Sequence, residues 1–241
     1  MRDNTSYSSR STVKENLSGM LIIDKPLACS SMDVIRVLRR LTGIKKIGHA
    51  GTLDPLATGV LLVCIGRAAT KQIDQLMNTE KEYVAEVNLT AFSETDDAEG
   101  PLHEVCIEII PPEDDIKKCL QSFIGLIKQV PPQYSAIKVN GVRSYKKARK
   151  GKFVELKPRT VEIKSIDILS YSWPLLKIKV TCGKGVYIRS LARDVGKSLC
   201  VGGYISALRR TRVGAYDEQK AIALIDLQDK KILVEDKIVS I

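Results

Sequence analysis

The residues best suited to chemistry lie in one glycine-rich stretch, Gly48-His-Ala-Gly-Thr-Leu-Asp-Pro55, which holds a carboxylate, Asp54, and one of the chain's two histidines, His49. Pro55 disfavours α geometry at the aspartate and fixes how it enters the next turn. Taken alone, an Asp-Pro in a loop is most commonly a turn or cap aspartate, and a lone histidine is a surface or hydrogen-bonded one. Other familiar chemistries are excluded. Gly66-Arg-Ala-Ala-Thr-Lys71 lacks the second glycine of a phosphate loop, and Gly183-Lys-Gly185 is too short for a dinucleotide fingerprint. There is no Gly-x-Ser-x-Gly, no His-Glu-x-x-His and no deaminase-type Cys/His set. His49 and His103 are far apart and leave no zinc-site spacing. Any reaction here runs on a carboxylate, cations and aromatics, with neither metal nor cofactor.

The elements around that stretch must hold it. Met20-Leu-Ile-Ile23 reads as a short buried strand ending in Asp24-Lys25-Pro26. Ser30 or Ser31 can cap a helix over 32–42, with Ile35, Leu38 and Leu41 on one face. Residues 43–59 hold four glycines and a proline and read as a loop, followed by a strand over 60–65. Such a linker can bring its backbone close to a ligand. Glu82 to Phe92 alternates as one long strand, with Tyr83, Ala85, Val87 and Leu89 on one face, and Asp96-Asp-Ala-Glu-Gly100 breaks it. Pro111-Pro112-Glu113 opens a helix with Ile116, Cys119, Leu120 and Phe123 aligned. A strand near 134–139 leads to the hairpin turn Asn140-Gly141. Short alternating runs fill 160–182, and 187–199 is helical by pattern, with Ile188, Leu191 and Val195 aligned. Strands are joined mostly by turns rather than by helical crossovers. The expected class is α+β with a mainly antiparallel sheet and flanking helices.

The chain has 241 residues, 44% hydrophobic and 27% charged, within the ordinary globular range. Its net charge is +10. Between Lys138 and Lys164 stand ten cations and two acids, so this stretch supplies +8 of that charge, with Tyr145 and Phe153 interleaved. A phosphate-binding lobe fits this pattern better than a merely solvated face. The six cysteines show no close pairing, and several lie in apolar runs, as Cys64 does. They read as buried, reduced thiols of a cytoplasmic protein. No apolar run is long enough to span a bilayer, and residues 1–17 are polar, expected to form a frayed tail rather than a signal peptide.

Five motifs in order change the reading of Asp54. The segment from Gly48 to Gly59 closely resembles the catalytic loop of the bacterial TruB family of tRNA pseudouridine synthases. Asp24-Lys25-Pro26 resembles the family's N-terminal motif and Lys81-Glu-Tyr83 its tyrosine strand. Gly183-Lys-Gly-Val-Tyr-Ile-Arg-Ser190 matches its arginine motif, Leu208-Arg209-Arg210 its C-terminal motif, and Pro131-Pro-Gln-Tyr-Ser-Ala-Ile-Lys138 fits as well. The resemblance runs from about residue 18 to 216. It implies the pseudouridine synthase fold and an isomerase acting on uridine 55 in the T loop of tRNA. It implies roles too: Asp54 as the essential catalytic carboxylate, Arg189 as the guanidinium that keeps it ionised, and Tyr83 as the ring that stacks on the target base. His49 matches the residue that pushes into the T loop as bases flip out, and Lys25, Tyr187 and Leu208 line or brace the site. The cationic stretch falls where the family carries an RNA-gripping thumb, about 134–160, with Lys146, Lys147, Arg149 and Lys150 as phosphate contacts. Isomerisation oxidises nothing and loses no group, so no cofactor is implied.

The chain stops about 25 residues after Tyr216, short of a family-type C-terminal PUA domain. The expectation is a single catalytic domain over 18–241, a T stem-loop sufficient as substrate, and a monomer. A noncatalytic RNA-binding or tRNA-folding chaperone role is compatible with the same basic residues. The guide-RNA-dependent relatives of archaea and eukaryotes are the third reading, and their reliance on a PUA domain counts against it.

Overall fold

The computed structural model of the chain describes residues 17–240 apart from 136, 140, 149 and 153. The expected tail lies, but for its last residue, outside the described residues, as do Arg149, Asn140 and the side chain of Lys146. The chain divides into two compact units, one running to Asn78 and resuming at Arg212, the other Thr79–Thr211.

The first unit begins with β1 (Gly19–Lys25), α1 (Ser31–Thr42), β2 (Ile47–Ala50) and β3 (Ala57–Ile65), followed by the one-turn helices α2 (Gly66–Thr70) and α3 (Ile73–Met77). Ser30 caps α1 in a capping box. Its hydroxyl accepts from the Asp33 amide, and the Asp33 carboxylate accepts from the Ser30 amide. Such a cap stabilises a helix by about 1 kcal/mol. Gly43, in the left-handed region at φ 73°, ends the helix. Val34, Ile35, Val37 and Leu38 are its buried face. β1 pairs antiparallel with β3 along its whole length. β2 corrects the expectation of a continuous loop over 43–59, and β3 begins earlier than expected, at Ala57. Ile47 and Ala50 are buried, and β2 pairs antiparallel with β3 from Ile47↔Ile65 to Ala50↔Leu62. Four residues rich in small side chains carry little strand signal, and the partner strand supplies it.

The second unit contains β4 (Lys81–Asn88), β5 (Ala91–Ser93), β6 (Leu102–Glu104), α4 (Glu113–Ser122), β7 (Gly125–Gln129), β8 (Lys138–Val139), β9 (Val142–Arg143), α5 (Ser144–Ala148), β10 (Arg159–Ser172), β11 (Leu175–Cys182), α6 (Ile188–Ser198) and β12 (Tyr204–Val213). Its sheet runs β12-β4-β11-β10-β7, with β4–β11, β11–β10 and β10–β7 antiparallel. The long strand expected over 82–92 is two, because the chain turns at Leu89-Thr90, where the Asn88 side chain accepts from the Thr90 amide and hydroxyl. The short runs expected over 160–182 are instead the fourteen residues of β10 and the eight of β11. The alternation on β4 holds: Lys81, Tyr83, Ala85 and Val87 are buried, their neighbours half-buried. β8 and β9 form the hairpin expected at Gly141, with Val139 opposite Val142. α4 packs on β10 and α6.

The chain returns to the first unit through the last residues of β12, then β13 (Tyr216–Asp217), β14 (Ile222–Ala223) and α7 (Leu224–Gln228). β14 joins β1 in parallel. Met20, Ile22, Val60, Leu62, Cys64, Ala69, Leu76 and Val213 form a core cluster there. The architecture is the expected α+β with a mainly antiparallel sheet. Cys64, Cys119 and Cys182 are buried as expected, but Cys106 and Cys200 are exposed and Cys29 is half-buried.

Candidate active site

In the first unit the main chain on either side of Asp54 is held by hydrogen bonds to Leu53, to the Asp54 carbonyl and to Pro55. The Ser31 hydroxyl donates to the Leu53 carbonyl at 3.0 Å and accepts from the Leu53 amide at 2.9 Å. The Asp54 carbonyl accepts from the Ala57 amide at 3.1 Å. The Pro55 carbonyl accepts from the Ala28 amide at 3.0 Å and from the Lys25 ammonium at 3.4 Å. Lys25 is fully buried, and its ammonium also donates to the carbonyls of Pro26 and Cys29 at 2.8 and 2.5 Å. A buried ammonium is tolerated because carbonyl dipoles replace its water. Ala28 takes the left-handed conformation, φ 56°, which aims its amide at Pro55 and costs about 1 kcal/mol or more for a residue with a Cβ.

Gly51, in the loop before Asp54, takes φ 90°, and Gly59, near the start of β3, takes φ 96°, conformations that side chains rarely adopt. The side chain of Asp54 is left half-buried. His49, also half-buried, stands on β2 opposite Val63. A carboxylate on a fixed backbone is the arrangement that an attacking or charge-stabilising group needs, since small misplacements are costly.

In the second unit Arg189 lies in the first turn of α6, 5% exposed. Its guanidinium donates to the Thr95 carbonyl at 2.8 Å and the Tyr134 carbonyl at 3.0 Å, and pairs with Asp97 at 3.2 Å. Asp97, 2% exposed, also accepts from the Thr95 hydroxyl at 2.6 Å and the Glu99 amide at 3.1 Å. Tyr187 precedes α6, and the Gln129 amide side chain binds both its N–H, at 2.9 Å, and its carbonyl, at 3.1 Å. That clamp sets where the helix starts. Tyr83, on β4 opposite Val180, and Leu208, on β12, are both nearly buried. Lys81 and Arg210 are buried as well, and the Lys81 ammonium is held below its ordinary range by burial and then by the Arg210 charge.

The cationic lobe is laced at its base. The Gln133 side chain donates to the Val154 carbonyl at 2.8 Å and accepts from its amide at 3.2 Å, and the Ser144 hydroxyl donates to the Gln133 carbonyl at 2.5 Å. Lys147 is half-buried and Lys150 exposed.

Thus Lys25 sits against the Asp54 loop, and Arg189 meets the segment 95–97 and Tyr134. Ser31, Asp97 and Gln129 were not singled out from sequence. Ser31 read as a helix cap, and Asp97 as part of a strand-breaking turn. The available signal was a pair of adjacent acids just after a strand in a basic chain. Burial pushes the Cys64 thiol up to about 11 and the Cys182 thiol up to about 12, so these two stay protonated at neutral pH. Among the described residues no group of three His, Cys, Asp or Glu side chains could hold a metal ion, and no helix is long and apolar enough to cross a membrane.

Solved structures with the same fold give the class. A Cbf5 in a Cbf5-Nop10-Gar1 complex superposes with a TM-score of 0.69 and 30% identity, covering 91% of this chain and 58% of that one. The present chain therefore spans less than two-thirds of that protein. The Cbf5 of an archaeal Nop10-Cbf5 complex matches with a TM-score of 0.65 and 27% identity, again over 91% of this chain and 58% of the other. At sequence level, residues 39–188 match the TruB family pseudouridylate synthase N-terminal domain, and 189–240 the tRNA pseudouridylate synthase B C-terminal domain. A tRNA pseudouridine synthase B of Clostridium tetani is 41% identical over 218 residues, 90% of this chain and 74% of that protein. One of Francisella tularensis is 44% identical over 229 residues, 94% and 74%. The chain belongs to the TruB family of pseudouridylate synthases.

Proposed function

We propose that this chain isomerises the T-loop uridine of tRNA, position 55, with Asp54 as its catalytic carboxylate. That it is an isomerase turning uridine in tRNA into pseudouridine rests on its family and on relatives 41% and 44% identical. The carrying observation for the site is the clamped main chain of Leu53-Asp54-Pro55, held by Ser31, Ala28, Lys25 and Ala57 around a half-buried carboxylate. The reaction breaks N1–C1′, turns the base and joins C5 to C1′. The C5 proton leaves and N1 regains one, so atoms balance without a cofactor. Asp54 either attacks C1′ or promotes a glycal route, and must be ionised for both. Arg189 supplies a guanidinium that stays charged at any working pH. Tyr83 stacks on the flipped base and His49 enters the T loop, offsetting the few kcal/mol that extrusion costs.

Lys25, Tyr187 and Leu208 brace the site. Lys146, Lys147, Arg149 and Lys150 of the lobe at about 134–160 contact phosphates, within a catalytic body that starts near residue 18. We further propose a cytoplasmic monomer for which the T stem-loop suffices.

The test is to incubate the protein with unmodified tRNA and with an isolated T arm, and map pseudouridine chemically. Both should carry it at position 55. Asp54→Asn should bind tRNA as the unaltered protein does and form no product. Pseudouridine made by Asp54→Asn would sink the assignment of the carboxylate.

A further inference from the structure

Asp96 and Asp97 are consecutive, and each meets an arginine of α6 one helical turn from the other: Asp97 pairs with Arg189, and Asp96 with Arg193 at 2.7 Å. The family resemblance accounts for Arg189 and leaves Arg193 without a role. Arg193 nonetheless uses all three guanidinium nitrogens. One donates to Asp96, one to the Asp194 carboxylate at 2.9 Å and one to the Val130 carbonyl at 2.8 Å. Val130 also accepts from the Ser190 hydroxyl at 2.9 Å, and it immediately precedes the Pro131-Pro132 that leads into the cationic lobe.

Asp96 is 6% exposed and sits at φ 61°, in the left-handed region, which aspartate enters more readily than most residues with a Cβ and which local contacts fix here. Those contacts exist: its amide donates to the Ser93 carbonyl at 3.1 Å, and its carbonyl accepts from the Ile205 amide at 3.1 Å. A buried carboxylate whose own main chain is held on both sides and which meets one arginine is not what a solvated surface pair shows.

We propose that Arg193 is a positioning residue. Paired with Asp96, it holds in one register the α6 turn that carries Arg189, the 94–97 segment and the base of the lobe at Val130. It touches neither uridine nor Asp54 in this scheme and acts through Arg189. An arginine suits the task because its planar fork reaches three acceptors at once, which a lysine cannot do in that geometry. The inference rests on the proposed role of Arg189 in the isomerisation.

Its chemical signature is a dependence of turnover on the ionised pair. The charged groups facing Asp96 are Arg193, Arg189, Asp194 and Lys197 of α6, while its loop neighbour Asp97 is engaged by Arg189. From β12 it meets the main chain of Ile205. Burial, only partly offset by Arg193 and Arg189, pushes its carboxyl up to about 6, so Asp96 loses its charge, and Arg193 its ionic partner, in an accessible range of pH.

The experiment measures kcat and KM for tRNA from pH 5 to 8 in the unaltered enzyme, Asp96→Asn, Arg193→Gln, Arg193→Lys and the Asp96→Asn/Arg193→Gln double variant. Each is kept below its own unfolding temperature. The singles should lose about ten- to a hundredfold in kcat with KM within a factor of two, the size a small misplacement of a catalytic group produces. The double variant should be no worse than the worse single, because the two residues act as one unit. The acid limb of kcat near pH 6 should be present in the unaltered enzyme and absent from Asp96→Asn. Arg193→Lys keeps the charge and loses the fork, and should remain impaired. Variants that raise KM at constant kcat, additive losses in the double variant, or an acid limb surviving in Asp96→Asn would each overturn the proposal. An unaltered enzyme that made no pseudouridine would overturn the functional reading and this inference together. Normal turnover with indifferent variants would overturn this inference alone.

Discussion

Ionised Asp96 costs the folded protein stability at neutral pH, because burial pushes its carboxyl from an ordinary 3.8 up to about 6 even with Arg193 and Arg189 beside it. Between those two values the folded chain holds a proton that the unfolded chain has released. The stabilisation from this group is therefore fully present below pH 3.8 and is lost as pH rises through about 6. Denaturant titrations of the unaltered protein and Asp96→Asn should show it. The unfolding free energy of the unaltered protein relative to the variant should be greater at pH 4.5 than at pH 7.5, by at most about 3 kcal/mol. A difference that stays flat with pH would show that the carboxylate is better solvated than its burial implies. Turnover has the opposite sign, since it is the ionised pair that holds the α6 turn. A group that destabilises the fold in the form that serves the reaction is the pattern expected at a site shaped for function.

Elements enter where one of them holds the Asp54 loop from a distance in sequence. Ser31 is the first residue of α1, is buried, and binds both the main-chain N–H and the carbonyl of Leu53. Ser31→Ala leaves a buried amide and a buried carbonyl without that partner, a loss of about 1–3 kcal/mol. Its melting temperature should fall, and its kcat should drop about tenfold or more while tRNA affinity holds, because the loop and not the RNA surface has moved. A variant with normal kcat would show that Lys25, Ala28 and Ala57 suffice to hold the loop. From sequence, α1, α4 and α6 were legible because each buries a face at helical spacing, and the burial of Tyr83 because β4 alternates. β2 was not legible, since four residues with small side chains form a strand only against β3. The division of 82–92 into β4 and β5 was equally hidden, because it depends on where the Asn88 side chain turns the chain. Ser31 was seen as a cap and missed as a clamp for the same reason: its partner lies twenty-two residues away. Tertiary partners of that kind leave no periodic trace.

Over the whole molecule, charge is distributed unevenly along the chain. The stretch 138–164 carries +8 of the +10, whereas 94–115 holds nine acids and neither lysine nor arginine. Several of those acids have partners within the protein, as Asp96 and Asp97 do in the arginines of α6. Lys150 is exposed and Lys147 half-buried, and neither takes part in any ion pair found among the described residues. Cations left without acids are the ones available to phosphates, and each phosphate neutralised releases counterions, which makes binding steeply salt-dependent. Reversing Lys146, Lys147, Arg149 and Lys150 to glutamate should therefore weaken tRNA binding and flatten the slope of log K against log salt by up to about three. kcat at saturating tRNA should change far less, because the lobe's charge does not enter the isomerisation itself. Filter binding between 50 and 300 mM salt, with turnover measured in parallel, separates the two effects. An unchanged slope would remove the lobe from the RNA interface. A lost kcat with unchanged slope would instead place these cations with Gln133 and Ser144 in holding the lobe's base, where they would act on Tyr134 and, through its carbonyl, on Arg189.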